Sequence, residues 1–131
     1  MAKAILALSN IHPVGLEPLE AEFEVIRLWK ETDPERIIQE RQSDIVAVVA
    51  SWTRTVSRKL SEALPNLEII SNFAVGTDNI DMGAAQERGV IVTNTPDVVT
   101  EATADMAFAL LMATARRITE SERWLREGKW Q

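Results

Sequence analysis

The sequence predicts an α/β fold built on a five-stranded parallel sheet. Five short runs rich in apolar and β-branched residues recur along the chain, at 4–8, 23–29, 45–49, 67–72 and 90–93. Segments carrying helix signals separate them and the connections are short, so the strands are joined by crossovers and lie parallel. Composition agrees: 46% hydrophobic and 26% charged over 131 residues is enough for one domain with a core.

Residues 4–8 form a continuous apolar run, as a central strand covered on both faces requires. Ser9, Asn10, Ile11, His12 and Pro13 then break it, and a short helix is expected over 14–21. The run at 23–29 alternates in part, which suits a sheet edge. Asp33-Pro34 is an N-cap followed by proline at the first helical position; Ile37 and Ile38 supply the buried side of a helix ending near Ser43. Residues 45–49 are the most strongly β-branched run and belong in the middle of the sheet. After the exit loop 50–54, Ser57 caps a helix through Leu64, Pro65-Asn66 turns the chain, and 67–72 is the fourth strand. Asp81 caps a further helix that ends before Gly89, and 90–93 is the fifth strand. The simplest strand order is 2-1-3-4-5, flavodoxin-like. Its topological switch lies between the first and third strands, so loops 9–12 and 50–54 open onto one crevice with 73–77 beside it.

Residues 71–81 connect a strand to a helix at the carboxyl end of this sheet. Gly76 lets backbone come close to a ligand, and the loop's N–H groups suit an anion. An ordinary turn is the competing reading. From Thr100 to about residue 127 runs one long helical pattern without proline, apolar nearly all round over 102–113 and amphipathic thereafter. A small domain covers one side of such a helix, so a second domain or subunit is expected on the other. The division is therefore expected at 1–98 and 99–131.

With no cysteine there is no disulfide framework, thiolate metal site or thiol nucleophile, and a cytoplasmic setting is expected. Fourteen basic against twenty acidic residues give a charge of −6 without a basic run, which argues against a nucleic-acid partner. The apolar start is too short for a signal peptide or membrane span, so no membrane partner is expected.

Three segments carry a family resemblance: Phe73-Ala74-Val75-Gly76-Thr77-Asp78-Asn79-Ile80-Asp81; Arg88-Gly89-Val90 through Val92-Thr93-Asn94-Thr95-Pro96; and Thr100-Glu101-Ala102-Thr103-Ala104-Asp105-Met106-Ala107. Arg116-Arg117 and Arg126-Glu127-Gly128-Lys129-Trp130 continue them. The chain resembles the D-isomer-specific 2-hydroxyacid dehydrogenases, in their glyoxylate/hydroxypyruvate reductase branch, over 71–130; the first seventy residues agree only in pattern.

The resemblance implies a flavodoxin-like substrate domain split between the two ends of a longer chain, with an NAD- or NADP-binding Rossmann domain inserted after the long helix. It implies reduction of small 2-keto acids such as glyoxylate and hydroxypyruvate to D-2-hydroxy acids; a homodimer through the long helix is expected from the apolar surface of 102–113. Carried over, it places the substrate carboxylate on the amides of Val75 and Gly76 with Ala74 beside them. Ser51 and Trp52 fall in the loop that closes over the substrate, Trp52 as a size filter or as a half-buried strand-end aromatic. Thr100 is directed at the cofactor by the positive helix end, with Glu101 partly offsetting that field. The family's catalytic arginine, glutamate and histidine have no counterpart in this chain, nor has its G-x-G-x-x-G turn. His12 reads as a turn histidine, and Arg54 as a cleft charge or a solvated arginine. The isolated chain is expected to be inactive.

Other classes remain for comparison. A phosphoacceptor receiver of the same strand order needs acids after the first and third strands and a lysine after the fifth, where this chain has Ser9-Asn10, Ala50-Ser51 and Asn94-Thr95. A dinucleotide-sensing corepressor-like scaffold and a stand-alone dimerisation module stay open.

Overall fold

Alternation along the first strand organises the core. Every residue of β1 (Ala4–Ala7) is buried; Ala4 and Leu6 join one apolar cluster, while Ile5 and Ala7 join another on the opposite face. The computed structural model describes residues 3–130. It consists of two compact units, Met1–Pro96 and Asp97–Gln131.

In the first unit β1 is followed by α1 (Pro13–Glu22), β2 (Glu24–Arg27), a 3-10 turn over Leu28–Lys30, α2 (Pro34–Arg41), β3 (Ile45–Ser51), α3 (Arg58–Ala63), β4 (Ile69–Phe73), α4 (Met82–Glu87) and β5 (Ile91–Thr93). All pairings are parallel and the order is β2-β1-β3-β4-β5, as expected. The alternating run is the edge strand β2 and the most β-branched run is central β3. An extra residue on β3 shifts its register against β1 between Ala4 and Ile5, a bulge.

Caps set the helix starts. Asp33 accepts from the Arg36 amide, Ser57 from Leu60 and Asp81 from Ala84. At the end of α4, Gly89 takes φ +67°, and the Gly89 and Val90 amides donate to the Gln86 and Ala85 carbonyls in a Schellman closure. The larger cluster gathers Leu6, Ile45, Val48, Val56, Leu64 and Ile70, with Ile37, Ile38 and Leu60 packed against it from α2 and α3. Each such fully buried side chain stabilises the fold by about 1.5–3 kcal/mol. The smaller cluster lies under α1 through Leu16. On that same face β4 and β5 are bare: Phe73 is 58% and Ile91 62% exposed.

The second unit corrects one expectation. The tail is two helices, α5 (Thr100–Ala115) and α6 (Ile118–Arg126), where one long helix was expected. Arg117 takes the left-handed conformation, φ 51° and ψ 39°, and its amide closes on the Thr114 carbonyl. Helical periodicity is blind to such a break when neither glycine nor proline marks it. None of the side chains of α5 is buried.

Candidate functional site

The exits of β1, β3 and β4 meet at the carboxyl edge of the sheet, the edge where open parallel sheets bind ligands. Hydroxyls tie the first two: Thr53 Oγ1 lies 3.1 Å from Ser9 Oγ and 2.8 Å from Ser51 Oγ. Two asparagines tie the second to the third. Asn72 and Asn79 exchange side-chain amide hydrogen bonds, both 3.1 Å. Asn79 Nδ2 also faces the Ser51 and Arg54 carbonyls at 3.0 and 3.1 Å, and Asn72 Nδ2 donates to the Gly76 carbonyl at 2.9 Å. Beside them a lone parallel bridge joins Val56 to Ile80.

Within the β4 exit loop the three carbonyls of Ala74, Val75 and Gly76 are all engaged. Ala74 O accepts from the Thr95 amide at 2.9 Å, Val75 O from Asn94 Nδ2 at 2.7 Å, and Gly76 O from Asn72. The Ala74 amide turns back to Asn72 O. The Val75 and Gly76 amides have no acceptor among the described residues, and both residues are exposed. Two adjacent unpaired N–H donors on exposed residues suit a carboxylate oxygen pair, and such charge-assisted bonds are the strong ones. Asp78 opposes them in part: its Oδ2 would lie 2.9 Å from a Cβ added at Gly76. Gly76 does not need a positive φ, since only Gly89 and Gly128 among the glycines have one.

Ser51 is buried with its hydroxyl committed to Thr53. Trp52 is 77% exposed, so it stands out from the rim and is not the half-buried strand-end aromatic. Arg54 has no acidic partner among the described residues and borders a small cavity of about 160 Å³ with Leu8, Trp29 and Leu60. His12 caps α1, its Nδ1 accepting from the Val14 amide at 3.3 Å. A wider depression of about 430 Å³ lies at the amino edge of the sheet, among Lys3, Asp44, Pro65 and Glu68, away from these loops.

The titrating groups whose pKa departs from its ordinary value sit in surface ion pairs. Hydrogen bonds from Arg41 hold Glu24 below the usual carboxylate range, and Arg58 does the same to Glu87. No group of three His, Cys, Asp or Glu side chains among the described residues is arranged to hold a metal.

A dinucleotide does not fit the described residues. The five glycines, at 15, 76, 83, 89 and 128, form no glycine-rich strand-to-helix turn. At the start of α5 the Thr100 amide is taken by Asp97 O at 3.3 Å, and Glu101 puts a carboxylate in the first turn. Thr100 therefore offers a phosphate no free backbone donor.

Asn72, Asn79 and Asn94 were not singled out from the sequence as site residues. One signal exists for the first. Asn72 follows Ile70 at the strand period of two and so falls on the core face, where it is 1% exposed.

The catalytic-domain model of the D-isomer specific 2-hydroxyacid dehydrogenases matches residues 5–122. The chain is 46% identical to a glyoxylate reductase of Korarchaeum cryptofilum (strain OPF8), over all of this chain and 40% of the relative. Its fold is similar to that of a 2-hydroxyacid dehydrogenase from Ketogulonicigenium vulgare Y25, with a TM-score of 0.87 and 42% identity over 99% of this chain and 41% of that one. It is also similar to an NADPH-dependent glyoxylate/hydroxypyruvate reductase from Sinorhizobium meliloti solved with NADP and malonate, with a TM-score of 0.73 and 36% identity over 99% and 40% of the two chains. The chain spans about 40% of the length of these relatives. With the sheet order and nearly the whole sequence matched, the chain belongs to the D-isomer specific 2-hydroxyacid dehydrogenase family.

Proposed function

We propose that this chain is the substrate-binding part of an NAD(P)-dependent oxidoreductase that reduces small 2-keto acids, glyoxylate and hydroxypyruvate among them, to D-2-hydroxy acids in the cytoplasm. The observation that carries the reading is the pair of unpaired amides at exposed Val75 and Gly76, whose own carbonyls are both held by asparagine side chains. In this role the two N–H groups grip the substrate carboxylate. Ser51, tied to Thr53, and Ala74, tied to Thr95, hold the loops that carry the grip. Exposed Trp52 limits the size of the group beyond the keto carbon. Arg54 adds positive potential to the crevice, against Asp78.

The cofactor is bound by residues outside this chain, with Thr100 adjoining it, so the 131 residues alone are inactive. The bare face of β4 and β5, with Phe73 and Ile91 exposed, supports the view that a further segment of a longer protein completes the substrate domain. The apolar residues of α5, Phe108, Leu110 and Leu111 among them, support a homodimer formed through that helix.

The test is Gly76→Val in the full-length enzyme. A branched side chain intrudes where the carboxylate lies, while in the fold it displaces only the exposed Asp78 side chain. The expected loss is about ten- to a hundredfold in kcat/KM for glyoxylate, the worth of one charge-directed hydrogen bond. The dissociation constant for NAD(P)H and the melting temperature stay near wild type. A variant that loses stability and cofactor affinity while keeping kcat/KM per folded molecule identifies an ordinary turn and sinks the reading.

A further inference from the structure

The segment Thr93-Asn94-Thr95 carries part of the sequence resemblance, and of its residues the proposed reaction gives a role to Thr95 but none to the Asn94 side chain. Its position supplies one. Asn94 Nδ2 donates to the Val75 carbonyl at 2.7 Å, across nineteen residues of sequence. A carbonyl only accepts, so the side-chain nitrogen must be the atom facing it. The chain contains no cis peptide among the described residues. In a trans peptide the C=O and the following N–H are coplanar and point in opposite directions. A donor that fixes the Val75 carbonyl therefore fixes where the Gly76 N–H points, on the far side of the same plane.

The neighbouring peptides are held in the same manner. The Thr95 amide on Ala74 O sets the Val75 N–H, and Asn72 Nδ2 on Gly76 O sets the Thr77 N–H. Of these three anchors, the Thr95 amide belongs to the main chain and Asn72 is buried in the network with Asn79. Asn94 differs from both: it is an exposed side chain with no other hydrogen bond to the described residues. It is the anchor whose loss is free to act on loop geometry without disturbing the core.

We propose that Asn94 is a positioning residue, which aims the Gly76 amide at the substrate carboxylate by holding the Val75 carbonyl from behind. This rests on the reading of residues 75 and 76 as the carboxylate grip. Without its anchor the peptide between Val75 and Gly76 rotates, and the donor is lost from the geometry that the carboxylate needs. An aspartate at 94 is worse than an alanine, because its oxygens repel the Val75 carbonyl and turn the peptide over.

The experiment uses the full-length enzyme with Asn94→Ala, Asn94→Asp and Asn94→His, the histidine Nδ1–H standing in for the lost donor. Steady-state kinetics with glyoxylate, the NAD(P)H dissociation constant and the melting temperature are measured for each. In parallel, the Val75 and Gly76 amide resonances of the wild type are followed while glyoxylate is added. The expected result is a wild-type Gly76 resonance that shifts with glyoxylate. In Asn94→Ala, KM for glyoxylate should rise about tenfold, with a larger rise in Asn94→Asp and partial recovery in Asn94→His. Cofactor affinity and melting temperature should stay near wild type throughout. If the wild-type amides respond and Asn94→Ala keeps wild-type KM, the positioning role is overturned while the grip stands. Loss of melting temperature and cofactor affinity together with KM also overturns it, by showing a structural role. If the wild-type amides do not respond to glyoxylate, the grip itself fails and the positioning role fails with it.

Discussion

The Asn72–Asn79 pair shows how much depends on single side chains. Between them these two amides join the β4 exit loop to the Ser51 and Arg54 carbonyls. Removing one partner leaves part-buried amide and carbonyl groups unpaired, at a cost of up to about 1–3 kcal/mol per group where burial is deepest. Asn72→Leu, almost isosteric but unable to donate, is expected to lower unfolding free energy by about 1–3 kcal/mol, since the Gly76 carbonyl and half-buried Asn79 both lose a partner. Urea denaturation measures it; a loss below about 0.5 kcal/mol, the scatter of neutral surface changes, means the network is not holding the loops. At this scale the sequence was least informative. Gly76 was visible because glycine in a strand-to-helix turn is a local signal. A side-chain amide says nothing about its partner until the strands are placed, which is why Asn72, Asn79 and Asn94 stayed out of sight.

At the scale of elements, local chemistry was legible almost throughout. Asp33, Ser57 and Asp81 cap the helices their positions announce, and Gly89 closes α4. Gly89→Ala isolates one term, because a Cβ there meets nothing within 4 Å while φ stays at +67°. Only backbone strain is added, and a destabilisation of about 1–2 kcal/mol is expected by thermal melting, with activity per folded molecule unchanged. The same left-handed turn at Arg117 escaped notice since it lacks the glycine. Ion pairs between elements give the acid response. Glu24, paired with Arg41 across β2 and α2, has its folded pKa lowered. Its contribution is therefore present above the ordinary carboxylate value and is lost as pH falls through the lowered one. Arg41→Met is expected to flatten the decline of melting temperature between about pH 5 and pH 3 relative to wild type, the range in which carboxylates titrate. Parallel declines in the two proteins would show that the pair contributes nothing to folding.

For the molecule as a whole, strand order was readable because burial enforces periodicity: a strand covered on both faces must be apolar throughout, and an edge strand need not be. The units Met1–Pro96 and Asp97–Gln131 pose the remaining question of assembly. Apolar area withdrawn from water is worth about 25 cal/mol per Å², and a stable interface buries roughly 1,200–2,000 Å² in total. The exposed α5 residues Leu110 and Leu111 are the natural place to interrupt it. Light scattering of the full-length protein is expected to give a dimer, and the Leu110→Glu/Leu111→Glu variant a monomer with melting temperature reduced by the lost interface. An unchanged mass for the variant removes α5 from the interface.

The sheet order also sets a timetable. β1 is made before the other four strands of this sheet, yet its place between β2 and β3 is not complete until Ile45–Ser51 has been made. At about 5–20 residues per second, translation leaves this apolar strand waiting some seconds with one side unpaired. Parallel neighbours cannot shorten that wait, for each crossover must be finished before the next strand docks. β1 is thus open to chaperones and proteases until β3 leaves the ribosome, and slowing translation upstream of Ile45 lengthens that window.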